Sequence, residues 1–162
     1  VTIRKADKEK DYDNIWEIFS RVIKTGDTYV FGPDTSKEAL HKIWLADNMD
    51  TFVAVDDDGS MVGTYFIKPN QIDLGNHIAH CGYMVNPRYQ GRGVGNQMCE
   101  HSIAFARERG YLGIQFNIVV STNTNAVKLW KKFGFEIIGT TPIGFRHKEL
   151  GLVDTYIMFK KL

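Results

Sequence analysis

The run Gln90-Gly91-Arg92-Gly93-Val94-Gly95 is the segment of this chain best suited to chemistry. Three glycines alternate with Arg92 and Val94, between a strand-like segment and a helix-like one. Glycine permits positive φ and close approach of the backbone to a ligand. Successive main-chain N–H groups in such a loop converge on one concavity, which favours an anion. The helix that follows adds unpaired N–H groups and the positive end of its dipole. Together these features predict a pyrophosphate site, held by the amides of Gly91 to Asn96 with Arg88 and Arg92 at its rim. The spacing is G-x-G-x-G, with Asn96 next, so it lacks the G-x-G-x-x-G of a dinucleotide site. No acidic residue ends the following strand to hold a ribose. A phosphate-binding loop of the Gly-Lys-Ser/Thr kind is absent as well.

The elements that must position this loop follow from hydrophobic spacing. Val1–Arg4 is strand-like. Tyr12, Ile15, Trp16, Phe19, Val22 and Ile23 recur every three or four residues and predict a helix ended by Gly26. Residues Asp27–Asp34 form a loop with two aromatics, Tyr29 and Phe31. Thr35 and Glu38 are placed as a capping box for a second helix to about Ala46. Thr51–Val55 and Met61–Lys68 predict a hairpin about Asp58-Gly59. A strand at His77–Val85 is stopped by Pro87. After it come a helix from Val94 to Glu108, a strand at Leu112–Val120 and a helix from Thr124 to Phe133. Strands near Phe135–Gly139 and Val153–Lys160 finish the chain. The order β-α-α-β-β-β-α-β-α-β-β makes an α/β fold. The strand-helix-strand crossover at His77–Val120 is parallel and the flanking hairpins are antiparallel, giving a mixed sheet.

Bulk properties set the frame. With 162 residues, 43% hydrophobic and 24% charged, the chain is expected to be a single globular domain over 1–162. Its formal net charge of +1 argues against a general nucleic-acid binder. Cys81 and Cys99 form no CxxC pair, so no metal or redox site is expected. No apolar run approaches the ~20 residues of a membrane span, and no signal-peptide pattern opens the sequence. A cytoplasmic protein without membrane attachment is the expectation.

Two runs carry a family resemblance. Residues Met84-Val85-Asn86-Pro87-Arg88-Tyr89-Gln90-Gly91-Arg92-Gly93-Val94-Gly95 resemble the Q/R-x-x-G-x-G/A signature of GNAT acetyltransferases. Gln90, Gly93 and Gly95 fill its fixed positions. The run from Asn123 to Phe135 is similar to the second GNAT signature, N-x-x-A-x-x-L-Y-x-x-x-G-F. The resemblance implies an N-acetyltransferase using acetyl-CoA as co-substrate and no metal. It implies that the fourth and fifth strands splay apart and admit the pantetheine arm along the exposed strand edge. The backbone of Tyr83, Met84 and Val85 would then bond that arm and polarise the thioester, and Asn123 would touch the cofactor. Many relatives have a tyrosine where this chain has Trp130, and that tyrosine protonates the leaving thiolate. Indole cannot do so, which leaves Trp130 as a packing residue beside the cofactor. Many such enzymes dimerise, so a homodimer is the implied assembly.

Direct acyl transfer needs a base for the amine and a donor for the oxyanion, but no enzyme nucleophile. Strand alternation puts His77, Ala79, Cys81 and Tyr83 on one face and Ile78, His80, Gly82 and Met84 on the other. His80 is the preferred base, having a suitable intrinsic pKa. His77, Tyr29, His147 and Glu149 are weaker candidates, and Cys81 is a remote one as nucleophile. Asn117 is a lone carboxamide within the apolar run Phe116–Val120 and predicts a pocket contact. The runs Phe66-Ile67-Lys68-Pro69-Asn70, Phe116-Asn117-Ile118-Val119, Thr122-Asn123 and Val153-Asp154 resemble fungal acetyltransferases of proline analogues such as azetidine-2-carboxylate. The positions matching Asn117 and Asn123 serve substrate and cofactor binding there, and a third pocket asparagine aligns with His80. The resemblance implies a small-molecule amine acceptor, an amino acid or proline analogue. Tyr29 and Phe31 would wall its pocket and Arg146 or Lys68 would pair with an acceptor carboxylate.

Overall fold

The structure, a computed structural model, describes residues 1–162. One seven-stranded sheet runs in the order β1-β2-β3-β4-β5-β7-β6. Its strands are β1 (Thr2–Lys5), β2 (Asp50–Val55), β3 (Met61–Pro69), β4 (Ile78–Val85), β5 (Gly113–Val120), β6 (Glu136–His147) and β7 (Gly151–Lys161). Helices are α1 (Tyr12–Lys24), α2 (Leu40–Ile43), α3 (Val94–Glu108) and α4 (Thr124–Lys132). The expected mixed sheet is present. Every neighbouring pair is antiparallel except β4 and β5, which the α3 crossover makes parallel.

Each face of the sheet carries its own core. On one, Cys81, Tyr83 and Phe116 pack with Met98 of α3 and Trp130 of α4. On the other, Phe66 and Met84 pack with Ile15 and Phe19 of α1 and with Trp44. Cys81 and Tyr83 thus face one core and Met84 the other, as strand alternation requires. Gly82 also faces the α1 side, where Phe66 covers it. An added Cβ would lie 2.5 Å from that ring, so the glycine lets the aromatic lie against the strand.

Two local expectations are corrected. The second helix is a 3-10 turn over Lys37–Ala39 followed by the single turn α2, and it ends at Trp44 instead of Ala46. Ser36 caps the turn through its Oγ, which accepts from the Ala39 N–H, whereas the Thr35 hydroxyl bonds the Gly32 carbonyl. The reason is tertiary. Trp44 is fully buried, and its Nε1–H donates to Thr64 Oγ1 at 3.1 Å, a contact that outweighs continuation of a short helix. The last hairpin is also longer than its apolar runs suggest, because β6 continues through Gly139, Pro142 and Gly144 to His147. Two register shifts absorb the misfit. β6 is the sheet edge, where a proline needs no ladder partner. Within it Ile143 has φ 48 and its N–H donates to Asp154 Oδ1. No helix is long and apolar enough to cross a membrane.

Candidate active site

The central strands open into a wedge. β4 and β5 pair only at Ile78 with Gly113 and Ala79 with Ile114. Beyond that point the β5 backbone shifts register between Phe116 and Val119 to stay on β7. The Asn70 N–H donates to the Ile78 carbonyl and the Asn86 N–H to the Val62 carbonyl. Even-numbered residues of β4 therefore bond β3, and the main-chain groups of Cys81, Tyr83 and Val85 point into the wedge. The Tyr83 phenol is not available there. It bonds Ser102 Oγ at 2.6 Å, and burial holds its pKa well above the ordinary value. The main chain of Tyr83 is what faces the opening.

Beside the mouth of the wedge lies the glycine loop. Gly91 and Gly93 both have φ 78, and an added Cβ at either would meet nothing within 4 Å. Gly93 is the N-cap of α3, with no side-chain cap and no acidic residue in the first turn. The first ladder bond into the helix is from the Gln97 N–H to the Gly93 carbonyl. The N–H groups of Val94, Gly95 and Asn96 therefore point outward from an uncapped helix start. The Val94 side chain is buried in the core, so this residue offers only its amide. Gly95 has a different purpose. An added Cβ would come to 3.3 Å from Leu129, so its absence lets α3 and α4 approach. Arg92 lies over the Tyr89 ring at 5.1 Å, and Gln90 is exposed beside it. Lys132 of α4 donates to Asn96 Oδ1 at 2.9 Å. This cation at the loop has no local signal in the sequence, since it lies 36 positions from its partner.

The wedge widens into a cavity of about 260 Å³. Tyr29, Phe31, Trp44, Phe66, Phe116 and Trp130 supply much of its wall, with His80, Asn117 and Asn123 as polar members. No Lys, Arg, Asp or Glu side chain lines it. Eight of the candidates named from sequence thus meet at one place: Tyr29, Phe31, His80, Cys81, Tyr83, Asn117, Asn123 and Trp130. Trp130 packs on Tyr83 at 4.9 Å and Phe116 at 4.7 Å. Arg146 is not brought there. It is exposed on β6, where its neighbour Phe145 takes the inward position, and the two-residue period turns Arg146 outward. Cys81 lies in the wall, but burial pushes its thiol up to about 12, which disfavours the nucleophilic thiolate.

His80 stands where the β4–β5 ladder stops. Its Nδ1 is 3.0 Å from the Gln115 carbonyl. A carbonyl only accepts, so Nδ1 carries the proton and Nε2 keeps its lone pair. Burial lowers the pKa below 6.5, opposed by that hydrogen bond and helped by Lys68. Neutral imidazole is the stable form near neutrality. His101, bonded to the Tyr65 hydroxyl at 2.6 Å, is lowered by burial too. For such groups the folded pKa is below the unfolded one. Their contribution to stability is complete above pH 6.5 and is lost as pH falls through the folded values. Thermal melts are expected to move down between about pH 7 and about pH 5, less steeply for His80→Gln. A flat profile in both chains would contradict it.

The remaining polar groups are ordered by one another. Asn117 Nδ2 donates to Asn70 Oδ1 at 2.8 Å, and Asn117 Oδ1 accepts from Gln115 Nε2 at 3.1 Å. This chain of amides fixes which way Asn117 points. Neither Asn70 nor Gln115 is singled out by sequence, because the Asn70–Asn117 bond depends on the end of β3 and β5 meeting across β4. Asn123 is the N-cap of α4, accepting from the Ala126 N–H, while its residue also borders the cavity.

Residues 13–135 match the family model described as Acetyltransferase (GNAT) family. The chain belongs to the GNAT family. A GNAT structure from Kribbella flavida, described as a GCN5-related N-acetyltransferase, is 37% identical with a TM-score of 0.94, covering 99% of this chain and 97% of that one. Among curated relatives, the N-acetyltransferase aca1 of Schizosaccharomyces pombe is 31% identical over 105 residues, 64% of this chain and 50% of that protein. The L-amino acid N-acetyltransferase AaaT of Escherichia coli is 33% identical over 109 residues, 62% of each chain. The matched segments thus span half to three-fifths of the length of these two relatives.

Proposed function

We propose that this GNAT chain transfers an acetyl group from acetyl-CoA directly to the amine of a small molecule, an amino acid or proline analogue. The observation that carries the reading is the adjacency of two main-chain features that no neighbouring strand or helix pairs. The inward-facing edge of β4 at Tyr83 and Val85 lies beside the uncapped start of α3, with its glycines at positive φ. A strand edge suits the amide-bearing pantetheine arm. An uncapped helix start suits the diphosphate, with Arg92 and Lys132 adding charge. The residues present therefore fit acetyl-CoA, which when bound would supply an activated thioester.

The chain's own groups divide the remaining tasks. The Tyr83 N–H is aimed into the wedge and can hold the oxyanion. His80 Nε2 can take the amine proton, directly or through one water, while the Gln115 carbonyl fixes its tautomer. Trp130 excludes water from beside the thioester. It offers no acidic proton, so the thiolate departs unprotonated or is met by water.

The cavity supports a small acceptor. Tyr29 and Phe31 wall it on the loop side, whereas a peptide would need an open groove. An acceptor carboxylate would be met by the carboxamide of Asn117, which Asn70 orients from behind, since no Lys or Arg side chain lines the wall. The L-amino acid activity named for the Escherichia coli relative, and the name of a streptothricin acetyltransferase from Streptomyces lavendulae (32% identical over 89 residues), agree with small acceptors. Thiol release from acetyl-CoA, measured over amino acids, azetidine-2-carboxylate, amine antibiotics and peptides, tests the proposal. Tight acetyl-CoA binding without turnover across that panel would leave only a binding module. With the right acceptor, Asn117→Ala is expected to lower kcat/KM about tenfold or more while leaving acetyl-CoA affinity within about twofold. An unchanged kcat/KM would remove Asn117 from the site.

A further inference from the structure

The groups that would receive the thioester already have a partner within the chain. The Tyr29 hydroxyl accepts from the Tyr83 N–H at 2.8 Å and donates to the Tyr83 carbonyl. One side-chain oxygen thus satisfies both main-chain groups of the β4 residue at the centre of the wedge. The arrangement is not incidental packing of an exposed loop. The Tyr29 ring is held between Trp44 at 6.3 Å and Phe31 at 6.2 Å. Burial keeps its phenol protonated by raising its pKa far above 10, so it remains able to donate and accept at once.

We infer that Tyr29 is an internal competitor for the donor's acyl carbonyl, and that it sets how strongly the site prefers acyl-CoA to free CoA. The inference rests on the proposed function. A thioester oxygen on the Tyr83 N–H and the Tyr29 hydroxyl cannot share that position, so acyl-CoA binding must turn the hydroxyl off the strand. CoA has a thiol in place of the thioester and brings no carbonyl to the N–H, so the hydroxyl stays or returns. In the free chain the hydroxyl prevents a buried N–H and carbonyl from being left unpaired. It does so by lowering the net gain of placing the acyl group there. Because Tyr29 belongs to the loop that also walls the cavity, acyl-CoA binding would move one wall of the acceptor site as well.

The test is Tyr29→Phe, which keeps the ring and removes only the hydroxyl. In the free variant the Tyr83 N–H has lost its side-chain partner, and the acyl carbonyl then supplies one with nothing to displace. Acetyl-CoA is expected to bind roughly three- to tenfold more tightly while CoA affinity changes less than about twofold, both by calorimetry. A merely structural role for the hydroxyl would move both ligands together. Equal tightening for both, no change, or weaker acetyl-CoA binding in a folded variant would overturn the inference. A second measurement keeps the hydroxyl in place. With 3-fluorotyrosine in the otherwise unaltered chain, the position 29 resonance is expected to shift strongly with acetyl-CoA and little with CoA. Equal shifts would overturn the inference. If neither ligand bound the unaltered chain, the proposed function would fall and take this inference with it. Binding without the split would overturn this inference alone.

Discussion

Gly93→Glu is expected to weaken acetyl-CoA binding by about 100-fold or more in a protein that still folds. The reasoning starts from the space around the residue. An added Cβ at Gly93 meets nothing within 4 Å, so no clash within the chain disturbs α3. The backbone cost comes from φ 78 and is about 1–2 kcal/mol for a side chain in the left-handed region. What remains is charge. A carboxylate at the N-cap would face the proposed diphosphate, and a separation of about 4 Å serves for the arithmetic. At an effective dielectric near 20, that repulsion is about 4 kcal/mol per pair of unit charges. Even when solvent screening halves it, roughly two decades or more of affinity are lost for a doubly charged ligand. Gly93→Ala carries the same backbone cost without the charge, so the comparison isolates the electrostatic part. Equilibrium dialysis or calorimetry on both variants, with melting curves to establish folding, checks the result. Normal affinity in folded Gly93→Glu would mean that the diphosphate binds elsewhere.

His80→Gln is expected to reduce kcat/KM roughly 10²- to 10⁴-fold, the range typical of a lost general base, with acetyl-CoA affinity little changed. Glutamine can still donate to the Gln115 carbonyl, so the ladder end stays closed while the basic nitrogen is lost. The pH profile adds a sharper readout. The folded pKa of His80 lies below 6.5, so the unprotonated form predominates at neutrality. The rate in the unaltered chain should rise with pH through that lowered value and level off near neutrality. In His80→Gln that acid limb should vanish. An acid limb that survives unchanged would assign the titration to another group. A fall in melting temperature with an unaltered rate would make His80 a structural closure of the sheet.

Much of this site was legible because its determinants are local. Gly91 and Gly93 permit the positive φ that both adopt, and the helix that begins at Val94 follows from nearest-neighbour spacing. Strand alternation alone separated His80 and Met84 from Cys81 and Tyr83, and the two cores follow that division. Less was legible where a distant partner decides the outcome. Trp44 shortened α2 by taking its place between α1 and the sheet. The β6 strand ran through Pro142 because edge position removes the usual objection to proline.

Taken alone, the sequence determined the order of elements, the parallel β4–β5 crossover and the glycine-rich start of α3. Periodicity, turn chemistry and right-handed crossover depend on residues close along the chain. Only the tertiary structure decided that Lys132 reaches Asn96, that Asn70 and Gln115 orient Asn117, and that the Tyr29 hydroxyl sits on Tyr83. Those contacts join residues 36, 47 and 54 positions apart, the Gln115–Asn117 bond being the local exception. Each depends on side-chain direction after the sheet has assembled, a property that spacing along a chain does not carry.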